Sequence, residues 1–190
     1  MSIIIAAKVS DRVVMIADSA ELIGERVAAL NIPERLKIIR INDVLIGSAG
    51  SVKNIRHLIE NPEWFDTKGE PFDKKFIVTC IVPKLYRELE EYNHLEFRDD
   101  IPTNAASVIM SHKDKIFYMD NSLAVHEIDK VTSVGCTKEL IRPLLIDMKD
   151  GEELETMISA MRMSSYLSPA VRPPYYYVDT KTMKFTTIKE

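Results

Sequence analysis

Apolar residues run almost unbroken through residues 3–9 and again through 13–18, with Ser10, Asp11 and Arg12 between them. Two such runs around a short polar break predict a β-hairpin. Apolar and polar positions do not alternate, so both faces of the sheet are expected to be covered. Residues 37–41 and 44–48 repeat the arrangement around Asn42 and Asp43, a second hairpin. The stretch between the hairpins, 19–36, is mixed and punctuated by Gly24 and Pro33.

The period then changes. After Gly50-Ser51, Val52, Ile55, Leu58 and Ile59 recur at helical spacing, and Asn61-Pro62 stops the pattern. A longer helical pattern covers 71–93, with Ile77, Ile81, Leu85 and Leu89 four apart. Pro71 suits a first-turn position, whereas Pro83 predicts a kink or split. Four strand-like runs follow at 105–111, 116–119, 123–128 and 131–134, with Lys113-Asp114 and Asp120-Asn121 as turns. Two more helical patterns come next. One spans 138–149 and is interrupted by Pro143; the other spans 152–163 and carries Leu154, Met157, Ile158 and Met161 on one face. Strands are expected at 175–180 and 184–188. Strands and helices therefore come in groups, which favours layered packing over a Rossmann-type alternation. No repeat or linker divides the 190 residues, so one domain is expected.

Composition narrows the function. An apolar share of 46% and a charged share of 28% are globular values. A net charge of −4 gives no reason to expect nucleic acid or an anionic membrane as partner. The longest apolar runs fall far short of the roughly 20 residues of a spanning helix, and the N-terminus lacks the basic and long apolar regions of a secretory signal. Cys80 and Cys136 make no metal or redox spacing. A soluble, cytoplasmic protein is expected. There is no P-loop, dinucleotide fingerprint, HExxH or GxSxG. The four histidines, His57, His94, His112 and His126, are scattered and expected in surface or turn positions.

The chemistry gathers at the start. Met1-Ser2 precedes the first strand directly. Removal of Met1, which a small second residue permits, leaves Ser2 with a free α-amine. Such an amine has a pKa of about 7.7–8.0 and serves as general base to the hydroxyl of its own residue.

In this setting the sequence resembles the proteasome β-subunit and HslV family of N-terminal-nucleophile (Ntn) hydrolases. "VVMIADS" (13–19) looks like that family's first hairpin, and "KIIRINDVLIGSAGS" (37–51) like its next hairpin and the glycine before the first helix. "SVGC" (133–136) sits where the family has a small-Gly-Ser segment. The resemblance implies a four-layer αββα sandwich of the α+β class. Ser2 matches the nucleophile, usually threonine. Asp18 matches the acidic residue ending the second strand, and Lys37 the lysine opening the third. The Gly50 N–H matches the oxyanion donor. Cys136 replaces a serine near the nucleophile, and Ser168 matches a second supporting serine. Ser165 stands where the family has an aspartate.

The resemblance further implies peptide or unfolded-protein substrates, a homo-oligomeric ring, an ATP-dependent unfoldase as possible partner, and no metal or organic cofactor. Two alternatives stay open. One is a non-catalytic scaffold subunit, which Ser165 favours and the lack of a helix before the first strand disfavours. The other is an Ntn transpeptidase or amidase.

Overall fold

The two opening apolar runs form β1 (Ile3–Val9) and β2 (Arg12–Ala17), paired antiparallel from Ile4↔Ala17 to Val9↔Arg12. Ser10 takes the left-handed conformation that closes their turn (φ 54°). The computed structural model describes residues 2–23, 26–29, 37–98, 101–149 and 151–189. The mixed stretch after β2 holds a hairpin, β3 (Ala20–Ile23) and β4 (Arg26–Ala29). The punctuating Gly24 and Pro33 lie outside the described residues, as does Met1. Next come β5 (Ile38–Ile41) and β6 (Val44–Gly50), then α1 (Val52–Glu60).

The long helical pattern is one helical stretch from 74 to 91, made of α2 (Lys74–Phe76), a π-helical turn (Ile77–Ile81) and α3 (Val82–Glu91). It begins three residues later than Pro71, because the Asp73 carboxylate caps it by accepting from Phe76 N at 2.8 Å. Pro83 does not split it. The π turn widens the backbone just ahead of the ring, and the Val82 N–H reaches back to the Ile77 carbonyl.

The remaining elements are β7 (Glu96–Arg98), β8 (Ile101–Thr103), β9 (Ala106–His112), β10 (Lys115–Met119), β11 (Val125–Ile128) and β12 (Val131–Gly135). They are followed by α4 (Lys138–Ile146), α5 (Glu153–Leu167), β13 (Tyr175–Asp179) and β14 (Thr186–Ile188). Pro143 lies inside α4 without ending it. The β7–β8 ribbon was not signalled by the pattern. Ile59, expected on the apolar face of α1, is exposed instead, one 100° step from the buried Leu58.

Two five-stranded antiparallel sheets carry the fold, in the orders β12-β1-β2-β13-β14 and β11-β10-β9-β6-β5. Three apolar layers hold them. Ile4, Ala6, Val13 and Met15 of the first sheet meet Leu45, Ala49 and Ile109 of the second. Ile3, Ile5, Val14 and Ile16 face outward onto Ile141, Leu145, Met157 and Met161 of α4 and α5. Val44, Ile46, Met110 and Phe117 face the other way, onto Leu58, Ile77, Ile81 and Leu85. This αββα layering explains the unbroken apolar runs: Ile3, Ile4 and Ile5 are each fully buried, on alternating faces. Each such side chain contributes about 1.5–3 kcal/mol relative to exposure. Among the described residues no helix is long and apolar enough to cross a membrane.

Candidate active site

The end of β2 delivers Asp18 to the start of β1. Its Oδ1 accepts from Ile3 N at 2.9 Å, and its Oδ2 accepts from Ala20 N at 3.0 Å and from Lys37 Nζ at 2.7 Å. The carboxylate is fully buried and the lysine side chain nearly so, at 0% and 11% exposure. Burial pushes the Asp18 carboxyl above its ordinary range, while the Lys37 ammonium and the two backbone N–H groups pull it back. One carboxylate thus joins Lys37, just ahead of β5, to the peptide unit between Ser2 and Ile3.

The other side of Ser2 is held by β12. The half-buried Ser2 accepts at its carbonyl from Cys136 N at 2.9 Å, continuing the Ile3↔Gly135 pairing. Gly135 has φ 120°, and a Cβ there would lie 1.8 Å from the Ser2 carbonyl oxygen. No other residue lets the strand end approach so closely. The role of Gly135 was not assigned from the sequence, although it sits inside the motif that singled out Cys136.

Across from this segment, Gly50 ends β6 opposite Ala106 of β9. Its φ of 121° and the 2.2 Å a Cβ would leave to the Ala105 carbonyl make it a second obligatory glycine. It precedes α1 by two residues instead of opening the helix. Ser51 N donates to the Ala105 carbonyl, and Asn104 Oδ1 accepts from Ala106 N, so the 104–106 turn is fixed against the end of β6. Ser2, Gly50, Gly135 and Cys136 line one open cleft of about 280 Å³, together with Ser107, Asn121 and Lys138. Ser107 Oγ donates to Asn121 Oδ1 at 2.9 Å. Asn121, read as a turn residue, and Lys138, read as a helix start, carried no sign of a shared site, because loop and helix residues far apart in the chain meet here only through the sheet order.

Helix α5 supports the cleft from behind. It runs through Ser164 and Ser165 to Leu167, four residues beyond the 163 expected from periodicity. Ser168 closes it in extended conformation, with Cys136 Sγ at 3.8 Å from Ser168 Oγ. Thr137 Oγ1 donates to the buried Ser164 Oγ at 2.9 Å. Residues 136 and 137 are therefore both docked on this helix end. Ser165 is not turned the same way: its hydroxyl lies 2.6 Å from the Tyr175 hydroxyl. Beyond α5, the Arg172 carbonyl accepts from both Ser19 N (3.1 Å) and Ser19 Oγ (3.2 Å), and the Arg172 guanidinium donates to the Ser165 carbonyl (3.2 Å). That loop ties the end of α5 to the residue beside Asp18.

The histidines lie elsewhere. Two are buried, contrary to expectation. His57 on α1 contacts His94 at 3.1 Å and Glu88 at 3.3 Å, and His112 pairs with Asp43 at 2.8 Å. His57 lies beside the Tyr92 and His94 rings and His112 beside the Phe72 ring, and in each a carboxylate meets one ring nitrogen. None of the four lines the Ser2 cleft. Among the described residues no group of three or more His, Cys, Asp or Glu is placed to hold a metal ion.

No family model and no curated protein matches the sequence. Solved structures do match the fold. BPH from Thiobacillus denitrificans superposes with a TM-score of 0.74 at 17% identity, covering 93% of this chain and 96% of that one. Anbu, an ancestral beta-subunit, from Yersinia bercovieri gives 0.75 at 10% identity, with 99% and 87% covered. HslV from Trypanosoma brucei gives 0.67 at 23% identity, with 93% and 98% covered. With its two sheets between helix layers and these structural relatives, the chain has the fold of the proteasome-like Ntn hydrolases.

Proposed function

We propose that this protein is an Ntn peptidase whose nucleophile is Ser2, freed by removal of Met1. The observation that carries the reading is the Asp18 carboxylate, which bonds the Ile3 N–H and the Lys37 ammonium at once. A buried ion pair needs a reason to sit one residue from a hydroxyl that lines a cleft. Tuning that hydroxyl is such a reason.

In this reading the Ser2 Oγ attacks a peptide carbonyl carbon. Its proton passes to the Ser2 α-amine, and the carbonyl becomes an oxyanion held by the Gly50 N–H. Collapse breaks the C–N bond, and the leaving amine takes the proton from the α-amine. Water then attacks the acyl ester and loses a proton to the same amine, which passes it to Oγ as the C–O bond breaks, releasing the acid and free Ser2. The Lys37 charge favours the unprotonated amine and the developing negative charge at Oγ, and Asp18 keeps that charge in place. An oxyanion donor of this kind contributes about 3–4 kcal/mol to the transition state. Cys136 and Ser168 brace the Ser2 segment. A homo-oligomeric ring, peptide or unfolded-protein substrates, an ATP-dependent unfoldase as possible partner and a soluble, cytoplasmic setting are further parts of the proposal, carried over from the resemblance to the proteasome and HslV family.

A second reading has its own observation. The Ser165 hydroxyl is engaged with Tyr175, and no carboxylate stands at that position. This favours a non-catalytic ring component. An amine acceptor in place of water would make the same acyl-enzyme a transpeptidase. The test is turnover of a mixed peptide library by the wild type and Ser2→Ala. Cleavage lost in a variant that unfolds at the wild-type midpoint supports the nucleophile. Cleavage retained in Ser2→Ala refutes it.

A further inference from the structure

The cleft around Ser2 has walls of small residues: Ala49, Gly50, Ala105, Ala106 and Gly135. Among the described residues, such walls provide no deep apolar pocket that would select a large side chain. Of the described residues lining the cleft, Lys138 alone carries a charge. It is the first residue of α4, two positions after Cys136, and its side chain is 41% exposed.

Its own sequence neighbour does not neutralise it well. Glu139 Oε1 is 4.0 Å from Lys138 Nζ, while Glu139 Oε2 is 3.6 Å from Arg142 on the next turn. Lys138 also lines an adjoining cleft of about 360 Å³ beside α4, which Arg142 and Glu139 share with Thr132 and Ser133. A chain lying in the Ser2 cleft therefore passes an ammonium as it leaves, and two cations face one carboxylate along that route.

We propose that Lys138 is the specificity-determining residue of this cleft, and that it selects peptides carrying an acidic side chain within two residues of the scissile bond. The inference rests on the reading of Ser2 as nucleophile. Where wall volume does not discriminate, charge does, both by attraction of the acidic side chain and by repulsion of a basic one. A half-exposed ion pair of this kind supports a preference of up to about fivefold over a neutral side chain. Against a basic side chain the preference reaches about tenfold or more, because repulsion replaces attraction. The preference shrinks as salt rises.

The test uses internally quenched peptides with Asp, Ala or Lys at each of the two positions on either side of one scissile bond. They are offered to the wild type, Lys138→Ala and Lys138→Glu. At one or more positions the wild type cleaves the Asp peptide about fivefold faster than the Ala peptide in kcat/KM. Lys138→Ala levels the series, and Lys138→Glu reverses it in favour of Lys. A missing preference for Asp, or one that survives Lys138→Glu, overturns the inference. Labelling of Ser2 by a neutral peptide epoxyketone in the same preparations separates the two readings. Labelled protein without an Asp preference overturns the role of Lys138 alone. Unlabelled protein overturns the nucleophile, and this inference with it.

Discussion

Lys37→Met removes the cation from the pair on which the site is built. Asp18 then stays behind with its carboxylate fully buried and, among the described residues, with the Ile3 and Ala20 N–H groups as its remaining donors, at 2.9 and 3.0 Å. Breaking a buried pair by deleting one member costs about 3–5 kcal/mol. The two remaining hydrogen bonds place this variant at the lower end, about 3 kcal/mol. With a urea slope of about 2 kcal/mol/M, the unfolding midpoint falls by about 1.5 M.

The loss depends on pH in a definite direction. Burial already raises the folded Asp18 carboxyl above its ordinary 3.8, and without Lys37 it rises further. A carboxyl raised on folding adds stability only below its unfolded value, and loses it as pH rises through its folded value. The variant is therefore close to the wild type near about pH 4 and shows its full deficit near about pH 8. Adding Asp18→Asn removes the stranded charge and recovers most of the deficit. Urea titrations at several pH values decide it. A deficit that is constant over that range, or one below about 1 kcal/mol at its upper end, refutes the reasoning.

Two further outcomes follow from the same geometry. In Gly135→Ala, a Cβ 1.8 Å from the Ser2 carbonyl at φ 120° must displace either β12 or Ser2. The expected loss is about 2 kcal/mol or more, with Ser2 labelling abolished, and an unchanged urea midpoint contradicts it. The pH profile of kcat/KM should fall with a slope of one as the Ser2 amine protonates, below its ordinary value of about 7.7–8.0. It should steepen towards two where the raised Asp18 carboxyl takes up its proton, above 3.8. A slope of one throughout removes Asp18 from the working site.

Much of the scaffold was legible because burial on both faces leaves a plain trace. The run Ile3, Ile4, Ile5 could not alternate in a sheet covered on two sides. Ile77, Ile81, Leu85 and Leu89 all face the core as their four-residue spacing requires. The β3–β4 and β7–β8 ribbons were not legible. Each forms a two-stranded sheet of its own, with no pairing to the two large sheets among the described residues, so the strand register of those sheets left no trace there. Pro83 misled because a single π turn absorbs the ring, which a pattern of positions does not reveal.

Asp18, Lys37 and Cys136 were singled out by motif order; the structure places Asp18 and Lys37 2.7 Å apart and Cys136 in the cleft beside Ser2. Asn121, Lys138 and the docking of Thr137 on Ser164 were not reachable. They depend on β12 and β6 standing at matching ends of two facing sheets, which no local pattern encodes. Ser165 was singled out in the sequence for lacking a carboxylate. Its engagement with Tyr175 needed the helix to continue past residue 163, and Ser164-Ser165 reads locally as an ending.

The central claim is that Ser2 is a working N-terminal nucleophile, and intact mass before and after a peptide epoxyketone tests it most directly. That warhead closes its ring only on a residue that offers both a hydroxyl and a free α-amine. The account predicts a chain that has lost Met1 and gains one inhibitor mass, with no gain in Ser2→Ala. A chain that begins at Ser2, is folded, and gains no mass contradicts it.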